Sequence, residues 1–407
     1  MSTTTPHTQT AYKDTPIGKI PADWEVKKLG EVADIDKESL SSNTPKDYKF
    51  DYISLSDVDS EDFNIQSTKQ IFETAPSRAR RIVRKDDILL STVRPNLQGF
   101  SIIRDEVKDL IASTGFAVIS CKNIYNEYLF QFLFGNSIQK QFYQLLVGSN
   151  YPAINSSDVK KLKIPLPPLS EQKRIAEVLS TWDQAIQLTE QLIRQKEQRK
   201  KWLMQNLLTG KMRLKGFSGE WKECKLGDFI EESRIPSIHN DVNRRITVKL
   251  NLKGVEKREV RGSEAEDATY FFIRKKGQFI YGKQNLHKGA FGIIPEELDG
   301  FESSQDIPSF DFKENVIPKF FLLFMSQEQF YKSLEKISTG TGSKRIHPEN
   351  LYKVKVKFPS LEEQTAIAEI LQTADKEIEL LKAKAEQLKE QKKGLMQQLL
   401  TGKKRLL

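Results

Sequence analysis

Cysteine is nearly absent from this 407-residue sequence: it has only Cys121 and Cys224, too few for a disulfide framework or a thiolate metal cluster. Histidine is almost as sparse, and His7, His239, His287 and His347 never fall at the His-x-His or His-x-x-x-His spacing that places two imidazoles on one metal. Long apolar runs are missing too. The run from Phe320 to Met325 is far below the roughly 18–20 residues needed to cross a bilayer. Residues 1–14 lack the basic start and apolar stretch of a secretory signal and read as a flexible N-terminal tail, so a cytoplasmic location is expected. The sequence contains no Asn/Asp-Pro-Pro-Tyr/Phe segment to hold a flipped base, no glycine-rich loop suited to S-adenosylmethionine and no Gly-x-x-x-x-Gly-Lys-Ser/Thr phosphate loop. No catalytic residue and no metal site is therefore expected in this chain.

What is present is charge, aromatic residues and length. Lys and Arg number 64 against 55 Asp and Glu, a net +9, which suits a polyanionic partner. With 23 Phe, 11 Tyr and 4 Trp the chain can build cores, and it exceeds the roughly 250–300 residues at which one core stops growing. At least two domains are expected.

The chain also repeats itself at an offset of 192 residues. Residues 169–214 aligned without gaps on 361–406 share 24 of 46 positions. Leu169-Ser170-Glu171-Gln172 meets Leu361-Glu362-Glu363-Gln364, and Leu207-Leu208-Thr209-Gly210-Lys211 meets Leu399-Leu400-Thr401-Gly402-Lys403. Within each copy, alternating steps of four and three from Ile175 to Leu207, and from Ile367 to Leu399, trace an apolar stripe interrupted by Lys196, Lys200 and Lys392. That 3.5-residue period is the coiled-coil pattern. Pro165, Pro167 and Pro168 forbid helix before the first copy, with Ser170 placed to cap it. Ser360 and Glu363 form a possible capping box for the second, and Gly210 and Gly402 are placed for left-handed caps. The interrupting lysines read as snorkelling along the coiled coil or as facing DNA or an acidic partner, and Trp182 and Trp202 as helix packing.

The segments before the helices are alike only at their edges, where Trp24 and Leu29-Gly30 parallel Trp221 and Leu226-Gly227. Both mix short strand-like and helix-like runs. The expectation is an α+β protein: a tail (1–14), a first domain (15–168), a central helix (169–214), a second similar domain (215–360) and a C-terminal helix (361–407). The two long helices pack antiparallel, and the repeat is related by a pseudo-twofold.

Three segments carry a family resemblance: Gly18-Lys19-Ile20-Pro21-Ala22-Asp23-Trp24, Ile164-Pro165-Leu166-Pro167-Pro168-Leu169-Ser170-Glu171-Gln172 and Leu207 to Leu214. Together with their repetition, they resemble the specificity subunit of type I restriction–modification systems, the HsdS family. The resemblance implies a non-catalytic subunit whose two target recognition domains each read one half of a split DNA sequence. The helices set the gap and dock two methyltransferase subunits, through which motor-nuclease subunits join. S-adenosylmethionine, ATP and Mg would then belong to the partners. A stand-alone nuclease or methyltransferase, and a coiled-coil scaffold with no DNA role, are the alternatives. Dissimilar domain interiors predict an asymmetric site.

Candidate DNA contacts follow from residue chemistry, since arginine forks suit guanine edges and amides suit adenine. In the first domain they are Arg78, Arg80, Arg81, Arg84, Arg94 and Asn96, with Tyr48 and Tyr52 as further polar readers, and Ser149, Asn150 and Tyr151 after a glycine. In the second they are Arg244, Arg245, Arg274, Lys283, Gln284, Asn285, Lys344 and Arg345.

Overall fold

A computed structural model describes residues 11–58, 65–146, 152–238, 241–260, 270–340 and 344–406. The chain forms two compact units, one of residues 1–191 with 382–407, the other of residues 192–381. The helices are α1 (Leu29–Val32), α2 (Asn126–Leu133), α3 (Asn136–Leu145), α4 (Ser156–Lys161), α5 (Leu169–Leu207), α6 (Pro318–Met325), α7 (Glu328–Ser333), α8 (Pro348–Tyr352) and α9 (Leu361–Leu399).

The first unit holds strands β1 (Tyr12–Thr15), β2 (Gly18–Pro21), β3 (Glu25–Lys28), β4 (Ala33–Ile35), β5 (Lys49–Ile53), β6 (Thr68–Ile71), β7 (Ala79–Val83), β8 (Ile88–Ser91), β9 (Phe100–Ile102), β10 (Leu110–Ser113), β11 (Phe116–Cys121) and β12 (Lys163–Leu166). They form sheets ordered β4-β11-β8-β9 and β6-β5-β10-β7, and ribbons β1-β2 and β12-β3. Tyr12, Lys13 and Asp14, expected within a flexible tail, instead form a strand, pairing with Pro21, Ile20 and Lys19.

The second unit holds β13 (Lys222–Lys225), β14 (Ile230–Ser233), β15 (Ile235–Pro236), β16 (Ile246–Val248), β17 (Val255–Lys257), β18 (Phe271–Ile273), β19 (Phe279–Tyr281), β20 (Phe291–Ile293), β21 (Glu302–Ser304), β22 (Ser309–Phe312) and β23 (Lys355–Phe358). The sheet β14-β22-β19-β20 repeats β4-β11-β8-β9 strand for strand, and β13-β23 repeats β12-β3. The remaining strands form β15-β18-β21 and a β16-β17 pair, linked by a parallel bridge between Arg245 and Glu302, so β17-β16-β21-β18 follows the order of β6-β5-β10-β7 with β15 added at the edge.

Both long helices have the expected period. Ile175, Leu179, Ile186 and Ile193 of α5, like Ile367, Leu371, Ile378 and Ala385 of α9, are at most 9% exposed. At 39 residues each they are about 58 Å long at 1.5 Å per residue. In the first unit the start of α5 runs antiparallel to the end of α9, with Lys392 reaching Asp183 at 2.5 Å and Lys389 reaching Glu190 at 2.8 Å. In the second, Lys200 pairs with Asp375 and Lys196 with Glu377 at 2.5 Å. The lysines that interrupt the stripe thus form interhelix ion pairs. Gln131, 1% exposed, donates to Asp183 at 2.7 Å; the same place in the second unit holds Leu323.

Each unit closes on one carboxylate. Trp24, fully buried, donates its indole N–H to Glu171 at 3.0 Å, and Arg405 donates to both oxygens of Glu171 at 2.7 and 2.9 Å and to both oxygens of Asp23 at 2.9 and 2.7 Å. Its counterpart has Trp221 donating to Glu363 at 3.3 Å and Arg213 gripping both oxygens at 2.7 Å. Hydrogen bonding to Glu171 and then to Asp23 pushes the Arg405 pKa up, and Arg405 holds Asp23 below the usual carboxylate range. The Glu363 side chain is thus spent on Arg213 and Trp221, and only the Ser360 half of the expected capping box forms, at 3.5 Å. Ser170 lies inside α5 because Pro168 accepts the first helical N–H groups.

The adjoining glutamines have equally paired tasks. Gln172 accepts from Tyr125 N–H at 2.8 Å and donates to Pro167 at 2.8 Å. Gln364 accepts from Ile317 N–H at 2.9 Å and donates to Pro359 at 3.1 Å. They cap α2 and α6 respectively, satisfying an N–H that the helix start leaves over. Gly210 and Gly402 have φ of +69° and +67°, the left-handed geometry that ends a helix without a Cβ penalty.

Candidate nucleic-acid interface

The duplicated sheet positions one hairpin turn in each unit. Leu90 pairs with Phe100 and Tyr281 with Phe291, so residues 91–99 and 282–290 are equivalent. Thr92 N–H donates to Gly115 at 2.8 Å and Lys283 N–H to Asp306 at 2.9 Å. The carbonyls of the same two residues accept from Ile154 and Ile346 at 2.9 and 2.8 Å. A single 3₁₀ turn follows, Pro95–Leu97 in one and Leu286–Lys288 in the other. It is closed by Leu97 N–H to Arg94 at 2.8 Å and Gln98 N–H to Pro95 at 3.0 Å, matched by Lys288 to Asn285 at 2.9 Å and Gly289 to Leu286 at 3.0 Å.

Pro95 and Leu286 point into their cores. Gln98 and Gly289 then both adopt left-handed φ, +58° and +74°. Gly289 does so without strain. Gln98, together with Arg94 at φ +49°, stores roughly 1–2 kcal/mol per residue, a cost that concentrates at functional sites.

This arrangement gathers sequence candidates from distant places. Arg94, exposed, donates its backbone N–H to Pro152 at 2.8 Å, next to the segment containing Ser149, Asn150 and Tyr151; those three lie outside the described residues. In the second unit Lys283, Gln284 and Asn285 open the turn, and Lys283 binds the backbone of Ile346 beside Lys344 and Arg345. Gln284 and Lys344 are exposed. Lys344 pairs with Glu335 at 3.3 Å and Arg345 with Asp306 at 3.3 Å. In the sequence Arg94 with Asn96 and the run Lys283-Gln284-Asn285-Leu286-His287-Lys288 stood out only as separate polar stretches, with Gln284 and Asn285 rather than His287 as the base readers, and Leu97, which is 62% exposed, gave no signal.

The arginine cluster of the first domain is largely committed to protein partners. Arg81 pairs with Asp36 at 3.0 Å and Arg84 with Glu38 at 2.5 Å, while Arg80 lies over Phe72 at 4.9 Å. Arg78 is exposed. Tyr48 donates to Asp109 at 2.8 Å, and burial with that bond pushes its pKa up to about 12; Tyr52 is core, 6% exposed.

In the second domain Arg244 is exposed, packed over Phe301 at 5.4 Å, whereas Arg245 is 3% exposed and lies over Phe271 at 4.1 Å. Arg274 differs from its expected place. It is 1% exposed, donating to Ser303, Ser233, Ser309 and Ile307 at 2.6–3.1 Å, and burial lowers its pKa to about 10. A run of basic residues suggested surface, but β18 delivers the first of them to the interior, where it is an internal post.

Among the described residues no group of three or more His, Cys, Asp or Glu side chains could hold a metal, and no helix is long and apolar enough to cross a membrane. Burial pushes the Cys121 thiol up to about 12 and raises Cys224 as well, the reverse of what a nucleophile needs.

The family model described as "Type I restriction modification DNA specificity domain" matches residues 21–198 and again 218–390. The chain is 27% identical to the putative type I restriction enzyme MjaX specificity subunit of Methanocaldococcus jannaschii, over 97% of both chains. It is also 27% identical to the MjaVIII specificity subunit of the same organism, over 95% of this chain and 94% of the other. Its fold is similar to a chain solved in work on complex assembly and conformational transition of the type I R-M system (TM-score 0.64, 20% identity, 94% of this chain and 99% of the other). It is similar also to the HsdS subunit from Thermoanaerobacter tengcongensis (TM-score 0.54, 21% identity, 94% and 98%).

Proposed function

Because the chain belongs to the Type I restriction modification DNA specificity family, we propose that it reads a bipartite, asymmetric DNA sequence, one half through each unit, and performs no chemistry of its own. The observation that carries this reading is the pair of equivalent turns. They share the backbone hydrogen bonds that anchor and close them and differ in nearly every side chain, so they suit two different half-sites read in one way. Base-edge contacts would supply the sequence preference, and Arg78, Arg94, Arg244, Lys344 and their neighbours would supply phosphate contacts whose affinity falls with salt.

Two methyltransferase subunits would dock on the long helices, and motor-nuclease subunits through them. Two equivalent pairs of helix leucines are open, one member of each in each unit, Leu188 with Leu380 at 65% and 62% exposure and Leu169 with Leu361 at 55% and 37%, which supports two equivalent docking sites. S-adenosylmethionine, ATP and Mg belong to those partners in this reading, and the complex works in the cytoplasm.

The test is to assemble the chain with its methyltransferase partner and map methylated adenines genome-wide. The expected result is a split motif. Replacing residues 215–357 by those of a relative should change one half and leave the other, and inserting one helical turn within 185–195 should change only the gap. Methylation or cleavage by the purified chain alone would overturn the reading.

A further inference from the structure

At the same position of the two turns, Asn96 and His287 each bury a polar atom that has no hydrogen-bond partner, Asn96 Oδ1 and His287 Nδ1. Six such atoms occur among the described residues. Arg81 and Gln131 own two of the others, and their side chains are otherwise bonded to Asp36 and Asp183; Glu302 accepts from Ser237, and Arg245 has an interaction of its own. Asn96 and His287 alone make no side-chain hydrogen bond at all. Since neither Asn96 Nδ2 nor His287 Nε2 is among the buried unpaired atoms, those two are the atoms each turn offers to solvent.

An orphaned buried acceptor or donor costs free energy in the unbound protein. That two unlike residues incur it at one equivalent place argues against accident of packing. The position is fixed from below by buried Pro95 or Leu286 and from behind by a left-handed residue, so its side chain is presented by rigid backbone. Leu97 and Lys288 follow it and are exposed.

Resting on the DNA-reading function proposed above, we infer that Asn96 and His287 are the base-reading residues of the first and second units. With Oδ1 turned inward, Asn96 cannot form the two-bond pairing with adenine. It presents its amide N–H group, which matches an acceptor edge, guanine O6 and N7 or thymine O4. His287 presents one ring nitrogen, a different reader at the same station, which is what an asymmetric site needs.

The experiment uses the full chain assembled with its methyltransferase partner. Asn96→Ala and His287→Ala, with the size-matched Asn96→Leu and His287→Leu, are compared by methylated-site mapping and by thermal melting. Asn96 variants should lose about tenfold or more of their preference at one position of one half-site, and His287 variants should do so in the other half only. The melting temperature should hold or rise, because an unsatisfied buried atom has been removed. A purely structural role predicts the opposite pattern, a lower melting temperature with both half-sites intact, and that result overturns the assignment. A wild-type complex that yields no split motif overturns the parent reading and this inference with it, whereas a wild-type motif that all four variants leave unchanged overturns this inference alone.

Discussion

The two units share one sheet closely and the other only in outline. Strands β4-β11-β8-β9 are matched by β14-β22-β19-β20, with the same turn length and the same hydrogen bonds into the turn, while β6-β5-β10-β7 returns only as the pairs β17-β16 and β21-β18, held together by a single parallel bridge between Arg245 and Glu302 and extended by β15. What is held constant is the part that joins a domain to the long helices and presents the turn. Even there the joints are unequal. Arg405 grips two carboxylates where Arg213 grips one, and Asp183 accepts from a buried Gln131, whose equivalent in the second unit is Leu323. The joint of the first unit therefore relies more on polar contacts than that of the second.

That contrast can be broken experimentally. The largest effect is expected from Glu171→Ala, which strands the buried Trp24 N–H and half of the Arg405 bonds and should cost about 3–5 kcal/mol. Glu363→Ala should cost about 2–3 kcal/mol, since Arg213 can turn to solvent. Denaturant unfolding read by amide exchange in each unit measures both, and equal losses would break the contrast.

Lys392→Leu comes next. It leaves the Asp183 charge without its cation, held only by Gln131, in a site where the ion pair is only 11% and 16% exposed, costing about 3 kcal/mol. Lys200→Leu, whose partner Asp375 is 42% exposed, should cost about 1 kcal/mol or less. The triple variant Gln131→Leu/Asp183→Leu/Lys392→Leu should recover most of the loss, because it removes both charges with their desolvation penalty and leaves no buried amide stranded.

Glycine replacements sharpen the comparison further. A Cβ on Gly402 would lie 2.3 Å from Pro21 Cγ, while one on Gly210 would lie 3.3 Å from the Trp221 ring. Gly402→Ala should therefore cost about 2–4 kcal/mol and Gly210→Ala about 1–2 kcal/mol, as differences in melting temperature.

The smallest effect is one of pH. Arg405 lowers the Asp23 pKa, so the pair contributes stability above the unfolded carboxylate value near 4 and loses it as pH falls through the lower folded value. Asp23 is 52% exposed, so the contribution is about half a kcal/mol or less. Asp23→Asn should flatten that acid limb.

The helices and their glycine C-caps were legible because repetition, a 3.5-residue period and a glycine after the last turn are properties of the sequence itself, whereas the serine N-caps were not: Ser170 lies inside α5 and Glu363 is held elsewhere. The carboxylate joints were only half legible. Glu171 and Glu363 stood out in the repeat, but a glutamate three residues after a serine suggests a capping box until Arg213 and Trp221 are seen to occupy it. The equivalence of the turns was not legible. Pro95-Asn96-Leu97 and Leu286-His287-Lys288 share no residue, and what they share is a set of backbone bonds to Gly115 and Asp306, to Ile154 and Ile346. Arg274 was misplaced for a related reason, since a local run of charge does not reveal which member a strand turns inward.

The Arg405 grip on Asp23 and Glu171 also orders events in time. The second unit is a continuous stretch, 192–381, and every part of it has been synthesised before the last helix is finished. The first unit needs residues 382–407, which arrive roughly 1–5 s later at about 5–20 residues per second. The half of the protein that is translated first is thus the half completed last. Until Arg405 emerges, Trp24 and Glu171 wait with one side of their pocket open. A chain cut short by a few residues would carry a finished second unit and a first unit missing its closing arginine.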